Sequence, residues 1–280
     1  RLAGQYFTIC PVCDYIREYC RDYIVADDKR GPVTETGGTG SESTTENTVA
    51  CAVGSMSESV AACATESPVY FTIATTQSDI DFEREKSARE DIKEGIPIRR
   101  FSDAYLETLA VYRKIADCLL SCDTLLFHGS VIAVDGEGYL FTAKSGTGKS
   151  THTRLWREYF GERAVMVNDD KPLLHITDSG VTAYGTPWDG KHRLSTNIAV
   201  PLKGICILTR NAKNHIEPVE PHAAYPMIVQ QTNRSLSADG MKQTLSLIDR
   251  MLNVVPVYRL CCNMDIEAAR VAYEIMKYHI

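Results

Sequence analysis

Apolar and polar positions divide the chain into a sparse first third and a more regular remainder. Between residues 5 and 25, short Tyr-, Ile- and Phe-rich runs predict strands of an N-terminal subdomain. The stretch DDKRGPVTETGGTGSESTTENTVACAVGSMSESVAACATESP, about residues 27–68, has almost no aliphatic periodicity and is crowded with Gly, Ser, Thr and Glu. Such a segment cannot bury enough apolar surface to offset its ordering entropy, so it predicts a long mobile insertion. Strand chemistry resumes with VYFTIATT at 69–76.

From Ser102 onward the pattern changes. Ser102 can cap a helix on which Leu106, Leu109, Tyr112, Ile115, Ala116, Leu119 and Leu120 recur at helical spacing, most simply as a core face. TLLFHGSVIAV and YLFTA flank the turn DGEG, and Asp-Gly between apolar runs predicts a hairpin. RAVMV at 163–167 and GICILT at 204–209 read as buried strands, and PLLHIT and VTAY flank the turn DSG. Helical segments follow near 239–252 and 264–278, with VPVYRL between them. Hairpins mixed with helices predict an α/β protein built on a mixed sheet rather than a purely parallel one. The expected division is an N-terminal subdomain over 1–100, carrying the insertion, and a nucleotide-binding domain over 101–280.

Composition narrows the partners. The chain has 280 residues, 44% hydrophobic and 24% charged, and a formal net charge of -6 with no basic cluster longer than Arg99-Arg100. Nucleic acid needs a concentrated positive face, so it is not expected as a partner. No apolar run is long enough to span a bilayer, so no membrane partner is expected. RLAGQYFTIC does not read as a signal peptide, and a cytoplasmic location is expected. Ten cysteines are present. Cys118, Cys122 and Cys206 lie in apolar segments, where a reduced thiol acts as a small hydrophobe. CPVCDYIREYC offers three thiols but no second ligand pair, so reduced structural cysteines are preferred to zinc ligands.

The chemistry concentrates after the predicted hairpin, in LFTAKSGTGKSTHTRLW at 140–156. In a phosphate-binding loop, successive backbone N–H groups line a concavity closed by a helix N-terminus. Ser145, Gly146, Thr147, Gly148, Lys149, Ser150 and Thr151 fit such a loop. The two glycines would permit its backbone angles, Lys149 would reach the β- and γ-phosphates, Ser150 would place a hydroxyl on Mg²⁺, and Thr151 is available for phosphate contacts. The strict pattern has glycine at position 143; Ala143 suits it only if that residue avoids the left-handed region. One helix later, AVMVNDD ends an apolar strand in Asp169 and Asp170. One carboxylate would hold Mg²⁺ and the other would accept a proton from an attacking hydroxyl. Neighbours on an extended strand point opposite ways, so both serve one site only if the strand has ended.

LLFHGSVIAVDGEGYLFTAKSGTGKSTHTRLW, VMVNDDKPLL and YGTPWDGK together resemble the HPr kinase/phosphorylase and phosphoenolpyruvate carboxykinase superfamily. The resemblance rests on His128-Gly129, SGTGKST and the early strand-terminal NDD, and covers about residues 124–210. It implies a phosphoenolpyruvate carboxykinase-like P-loop core. It also implies that the aspartates supply the Mg²⁺ ligand and the general base for a serine-type hydroxyl, and that His128 lies near the nucleotide. Asp169 is assigned as base and Asp170 as metal ligand, though the residues alone leave the reverse order open. The reading of His128 as an ordinary half-buried histidine also stays open.

YGTPWDGKHRLSTN adds a cationic loop, and Lys191 and Arg193 suit the charge of a phosphoryl transition state. Asp189 is a further contact candidate, and Lys171 can pair with the aspartates. The glycine- and lysine-rich C-terminal motif of HPr kinases is missing, so HPr is not the implied acceptor. The expected function is a Mg²⁺-dependent kinase that takes ATP or another nucleoside triphosphate and acts on a hydroxyl of a small molecule, peptide or protein, with a homo-oligomer left open. The alternative is a non-catalytic nucleotide-binding sensor; a hydrolase or carboxykinase-like lyase ranks below both.

Overall fold

The computed structural model describes residues 1–24, 49–51, 69–190 and 192–278. The insertion expected at about 27–68 therefore lies, except for 49–51, outside the described residues, and so does Lys191. The chain divides into two compact units, Arg1–Ile115 and Ala116–Ile280.

In the first unit, β1 (Tyr6–Cys10) is the centre of a three-stranded sheet, with β2 (Val49–Cys51) antiparallel on one side and β3 (Tyr70–Ala74) parallel on the other. The expectation of several strands between 5 and 25 is corrected. Among the described residues only β1 is extended there, and the chain then turns into the short helix α1 (Tyr15–Tyr19) and a 3₁₀ turn over Arg21–Tyr23. Ile16, Cys20 and Tyr23 are buried at spacings of three and four, a helical period that is easily mistaken for strand chemistry in so short a run.

Two helices follow, α2 (Gln77–Glu94) and α3 (Asp103–Leu119). The pattern of apolar positions does not disclose α2, because its faces are mostly charged. It is set instead by its ends, with the Thr76 N–H donating to Asp79 at 3.0 Å and Gly95 left-handed at φ 69°. The stripe expected on α3 is buried at Leu106, Tyr112, Ile115, Ala116 and Leu119, and Ser102 Oγ accepts from the Tyr105 N–H. The same helix carries Glu107, fully buried, whose carboxylate accepts from the Val12 and Cys13 N–H groups and the Thr75 hydroxyl. These donors explain why a charge is tolerated inside the unit.

The second unit is built on a nine-stranded mixed sheet. β5 (Ser130–Val134) and β6 (Glu137–Thr142) form the expected hairpin, whose turn holds Asp135 and Gly136 at φ 54° and 83°, as a two-residue primed turn requires. β7 (Ala164–Asn168) runs antiparallel to β5 on its other side. β6 is followed by α4 (Lys149–Phe160) and pairs in parallel with β10 (Ala199–Arg210). β10 extends the expected 204–209 strand at both ends. Its first residues pair with β9 (Gly180–Tyr184), which forms a hairpin with β8 (Leu173–Thr177); β4 (Thr124–Leu126) closes that edge. The second half of β10 pairs in parallel with β12 (Val257–Cys262), against which β11 (His215–Pro218) lies antiparallel.

Helices cover both faces of this sheet, which is why its strands read as continuous apolar runs. On one face Val131, Leu140, Ile205 and Ile207 pack with α5 (Pro221–Gln231) and α6 (Ala238–Val254) through Ile228, Ile248 and Met251. On the other, Ile132, Phe141, Cys206 and Leu260 pack with α4 and α7 (Glu267–Tyr278) through Trp156, Ala269 and Met276. Successive residues of β5 and β10 thus serve opposite layers. α5 escapes the sequence pattern because Pro226 stands inside it, where proline ordinarily breaks a helix.

Gly185 joins this sheet to the segment that returns over the end of β7. A Cβ there would overlap the Thr196 carbonyl oxygen and come within 2.7 Å of that of Val167. Gly185→Ala is therefore expected to destabilise the second unit by roughly 3 kcal/mol, read in urea unfolding. In the first unit, burial alone would raise the Asp79 carboxyl, but hydrogen bonds from Lys114 and Thr76 prevail and hold it below its ordinary 3.8. Its charge thus favours the folded form above pH 3.8, and that contribution fades as pH falls through the depressed native value. Asp79→Asn should cost roughly 1–2 kcal/mol at neutral pH, and wild type and variant should converge at the acid end of a pH series.

Candidate functional site

Five sequence-distant pieces meet at the exit of β6. The loop after Thr142 turns through Gly146 and Gly148 at φ 75° and 126°, conformations that cost glycine nothing. A Cβ on either would meet nothing within 4 Å, so the space above the loop is open. Ala143 is buried and is not among the residues with positive φ, the condition under which alanine suits this place. α4 starts at Lys149, directly after the loop, so its first N–H groups have no intrahelical partner at that end.

β7 ends at Asn168, and this lets Asp169 and Asp170 serve one site. Asn168 Oδ1 accepts from the backbone N–H groups of Asp170 at 2.9 Å and Lys171, breaking the strand into a turn. Asn168 Nδ2 donates to the Thr186 carbonyl and hydroxyl and to the Trp188 carbonyl, tying the turn to the 186–188 segment. The adjacent carboxylates then have different surroundings. Asp169 is buried, and burial pushes it up despite a hydrogen bond from Ser150, with Asp170 adding to the rise. Ser130 Oγ donates to the Asp169 backbone carbonyl at 2.8 Å, and Gly190 lies so close that a Cβ would reach 2.5 Å from the carboxylate. Asp170 is half-buried, and His128 Nε2 lies 3.2 Å from its Oδ1. Burial would raise Asp170 too, but the His128 hydrogen bond and the charges of Lys171, His128 and Lys149 outweigh it and hold the carboxyl low.

Lys149 faces both acids. Burial holds its amine below the ordinary lysine range, against the pull of Asp170 and Asp169. Its Nζ donates to the Ala143 carbonyl at 3.4 Å. The predicted loop residues, Ser150, both aspartates and His128 are thus brought together, and Lys171 Nζ lies 3.9 Å from Asp170. The cationic loop is placed differently. Arg193 is exposed, in the left-handed region at φ 46°, and its charge acts on Asp189. Within that loop it is His192 whose charge bears on Asp169. Asp189 is half-buried and held up by burial, with Ser195 N–H 3.4 Å from its Oδ2.

Four residues matter that the motif reading did not single out: Ser130, Asn168, Ser195 and Arg210. Ser195 Oγ accepts from the Asp169 N–H at 3.4 Å. Arg210, at the end of β10, donates through Nε to the Thr147 carbonyl at 3.1 Å and through a terminal nitrogen to that of Gly146. Asn168 adjoined the visible aspartates and carried a readable signal; Arg210 is 60 residues downstream of Ser150 and carried none.

Among the described residues, no group of three or more His, Cys, Asp or Glu side chains is disposed to hold a metal ion. Asp170, kept ionised, with Asp169 and the Ser150 hydroxyl, is an oxygen donor set of the kind Mg²⁺ accepts, since that ion takes few protein ligands and completes its shell with water and phosphate. Among the described residues, no helix is long and apolar enough to cross a membrane.

Residues 103–267, more than half of the chain, match the family model described as SynChlorMet cassette protein ScmC. No curated protein matches the sequence. Among solved structures the chain is similar to the Hpr(Ser) kinase/phosphatase from Coxiella burnetii, at 11% identity and a TM-score of 0.29, over 54% of this chain and 95% of that one.

Asn168→Ala removes the five hydrogen bonds that the Asn168 side chain makes within the turn and to the 186–188 segment. It should destabilise the second unit by about 2–3 kcal/mol in urea unfolding, because it strands the buried groups of Thr186 and Trp188.

Proposed function

The chain belongs to the ScmC family, and we propose that it is a magnesium-dependent kinase with a phosphoenolpyruvate carboxykinase-like P-loop core. It would transfer the γ-phosphoryl group of ATP to a hydroxyl acceptor. The observation that carries the proposal is the meeting of a desolvated lysine, a hydroxyl and two unequal carboxylates at the rim of a glycine-rich loop.

Each residue takes a role from its surroundings. The N–H groups of Ser145 to Thr151 bind the phosphates, with Lys149 compensating charge at the β- and γ-positions. A triphosphate supplies the counter-charge that a half-buried amine requires. Ser150 and Asp170 are the metal ligands, and His128 fixes the Asp170 carboxylate from behind. Bound Mg²⁺ would neutralise charge on the phosphates. Asp169, buried and anchored by Ser130, Ser195 and the close wall of Gly190, is the base. It takes the proton of the acceptor hydroxyl while the acceptor oxygen bonds to the γ-phosphorus and the bond to the ADP oxygen breaks. Lys191 and Arg193 remain proposed stabilisers of the transferring group. The acceptor class is an alcohol of serine type, on a small molecule, a peptide or a protein.

Lys149→Ala should weaken Mg·ATP binding at least tenfold by calorimetry. Asp169→Asn should keep that binding yet lose at least a hundredfold in the transfer of labelled phosphate to acceptors in a lysate. Undiminished ATP binding in Lys149→Ala removes the phosphate loop from the proposal. Tight ATP binding with no transfer to any acceptor would instead make the chain a nucleotide sensor.

A further inference from the structure

The first unit carries a motif that no role assigned above uses: Cys10-Pro11-Val12-Cys13, two thiols separated by two residues. Cys10 is the last residue of β1, Val12 and Cys13 form a bend, and α1 begins at Tyr15. A strand that ends in C-x-x-C and opens into a helix, beside a parallel strand such as β3, is the setting of a redox dithiol. Cys10 and Cys13 are free and half-buried, whereas Cys20, the third thiol of the segment, is fully buried after α1. Val12, between the pair, is 55% exposed, so solvent reaches the bend.

The bend is held in place from inside the unit. Glu107 of α3, fully buried, accepts from the N–H groups of Val12 and Cys13, the latter at 2.8 Å. Successive N–H groups of an extended chain point opposite ways, so their convergence on one carboxylate keeps this stretch curled. The Thr75 N–H donates to the Cys10 carbonyl at 3.1 Å and the Thr75 hydroxyl donates to Glu107, which ties both cysteines to one point of the unit. A four-residue turn keeps its first and fourth Cα atoms within about 7 Å, the span a disulfide bridges. Pro11 stiffens the link between them. Burial pushes the Cys13 thiol up, and the negative charges of Glu107, Asp103 and Asp14 add to the rise. Those anions disfavour a Cys13 thiolate but not a disulfide, which carries no charge.

We propose that Cys10 and Cys13 are a redox-active dithiol that exchanges with small disulfides of the glutathione class. Cys10 attacks first, since Cys13 is held as the thiol. The Cys10 thiolate, its proton lost to solvent, bonds to one sulfur of the small disulfide. The S–S bond of that substrate breaks and releases one thiolate, which takes a proton from water. Cys13 then gives its proton to solvent, and its sulfur attacks that of Cys10. The mixed disulfide breaks and expels the second thiolate, which is protonated in turn. The protein gives up two electrons and two protons, and the small disulfide leaves as two thiols.

The test uses the whole chain, reduced and then equilibrated in buffers of graded glutathione to glutathione disulfide ratio. Samples are quenched in acid, alkylated and peptide-mapped by mass spectrometry. The peptide holding Cys10 and Cys13 should lose both alkylation sites together, with the mass of two hydrogens, at a ratio where Cys20, Cys118, Cys206, Cys261 and Cys262 stay alkylated. In urea this preference should fall by roughly tenfold, because the bend that Glu107 holds is gone and the thiols lose their effective concentration. Cys13→Ser should retain glutathione on Cys10, and Cys10→Ser should take up glutathione at Cys13 about tenfold more slowly. Pairing of either cysteine with Cys20, Cys51 or any other, alkylation of both at every ratio, or equal disulfide formation in urea overturns the dithiol. Capture of glutathione by Cys13 as fast as by Cys10 overturns the order of attack.

Discussion

The amide side chain of Asn168 decides where β7 stops, and the geometry of the site depends on that stop. An extended strand would send Asp169 and Asp170 to opposite faces of the sheet, one into each helical layer. By accepting from the two N–H groups that follow, Asn168 replaces the next rung of the ladder with a turn. Its amino group meanwhile binds the segment that returns over the strand end. One buried amide thus separates two adjacent carboxylates in environment while keeping them together in space. Asp169 is enclosed by Ser130, Ser195 and Gly190, and Asp170 is left to His128, Lys149 and Lys171.

Such an asymmetry makes a pair of acids chemically useful. Two equivalent carboxylates would compete for one proton or one cation. Here burial opposes charge on Asp169, while hydrogen bonding and cations favour it on Asp170. The sheet holds these environments rigidly, since β5 contributes Ser130 from the strand hydrogen-bonded to β7. The close approach at Gly185 fixes the covering segment.

Much of the second unit was legible in the sequence because its local signals agree with one another. Asp135-Gly136 supplied the hairpin, Gly146 and Gly148 the left-handed loop positions, and the apolar runs the doubly covered strands. The aspartate pair was visible at its true place. Arg210 was not, because a guanidinium that binds backbone carbonyls 63 and 64 positions away leaves no local pattern. The first unit was harder to read for a related reason. α2 is stabilised by its capping residues and by ion pairs such as Arg113 with Glu83, neither of which produces hydrophobic periodicity. The buried turns at Ile16, Cys20 and Tyr23 are too short for a helical period to be distinguished from strand composition.

The grip of Arg210 on Gly146 and Thr147 bears on the kinetics of ligand capture as well as on shape. Glycine-rich segments lose the most conformational freedom when they become ordered, and a loop ordered by its ligand binds with that loss subtracted from its affinity. Here the ordering has been done beforehand by a side chain on a different strand. Under the proposed function, the encounter with a phosphate would then require no slow rearrangement of the loop.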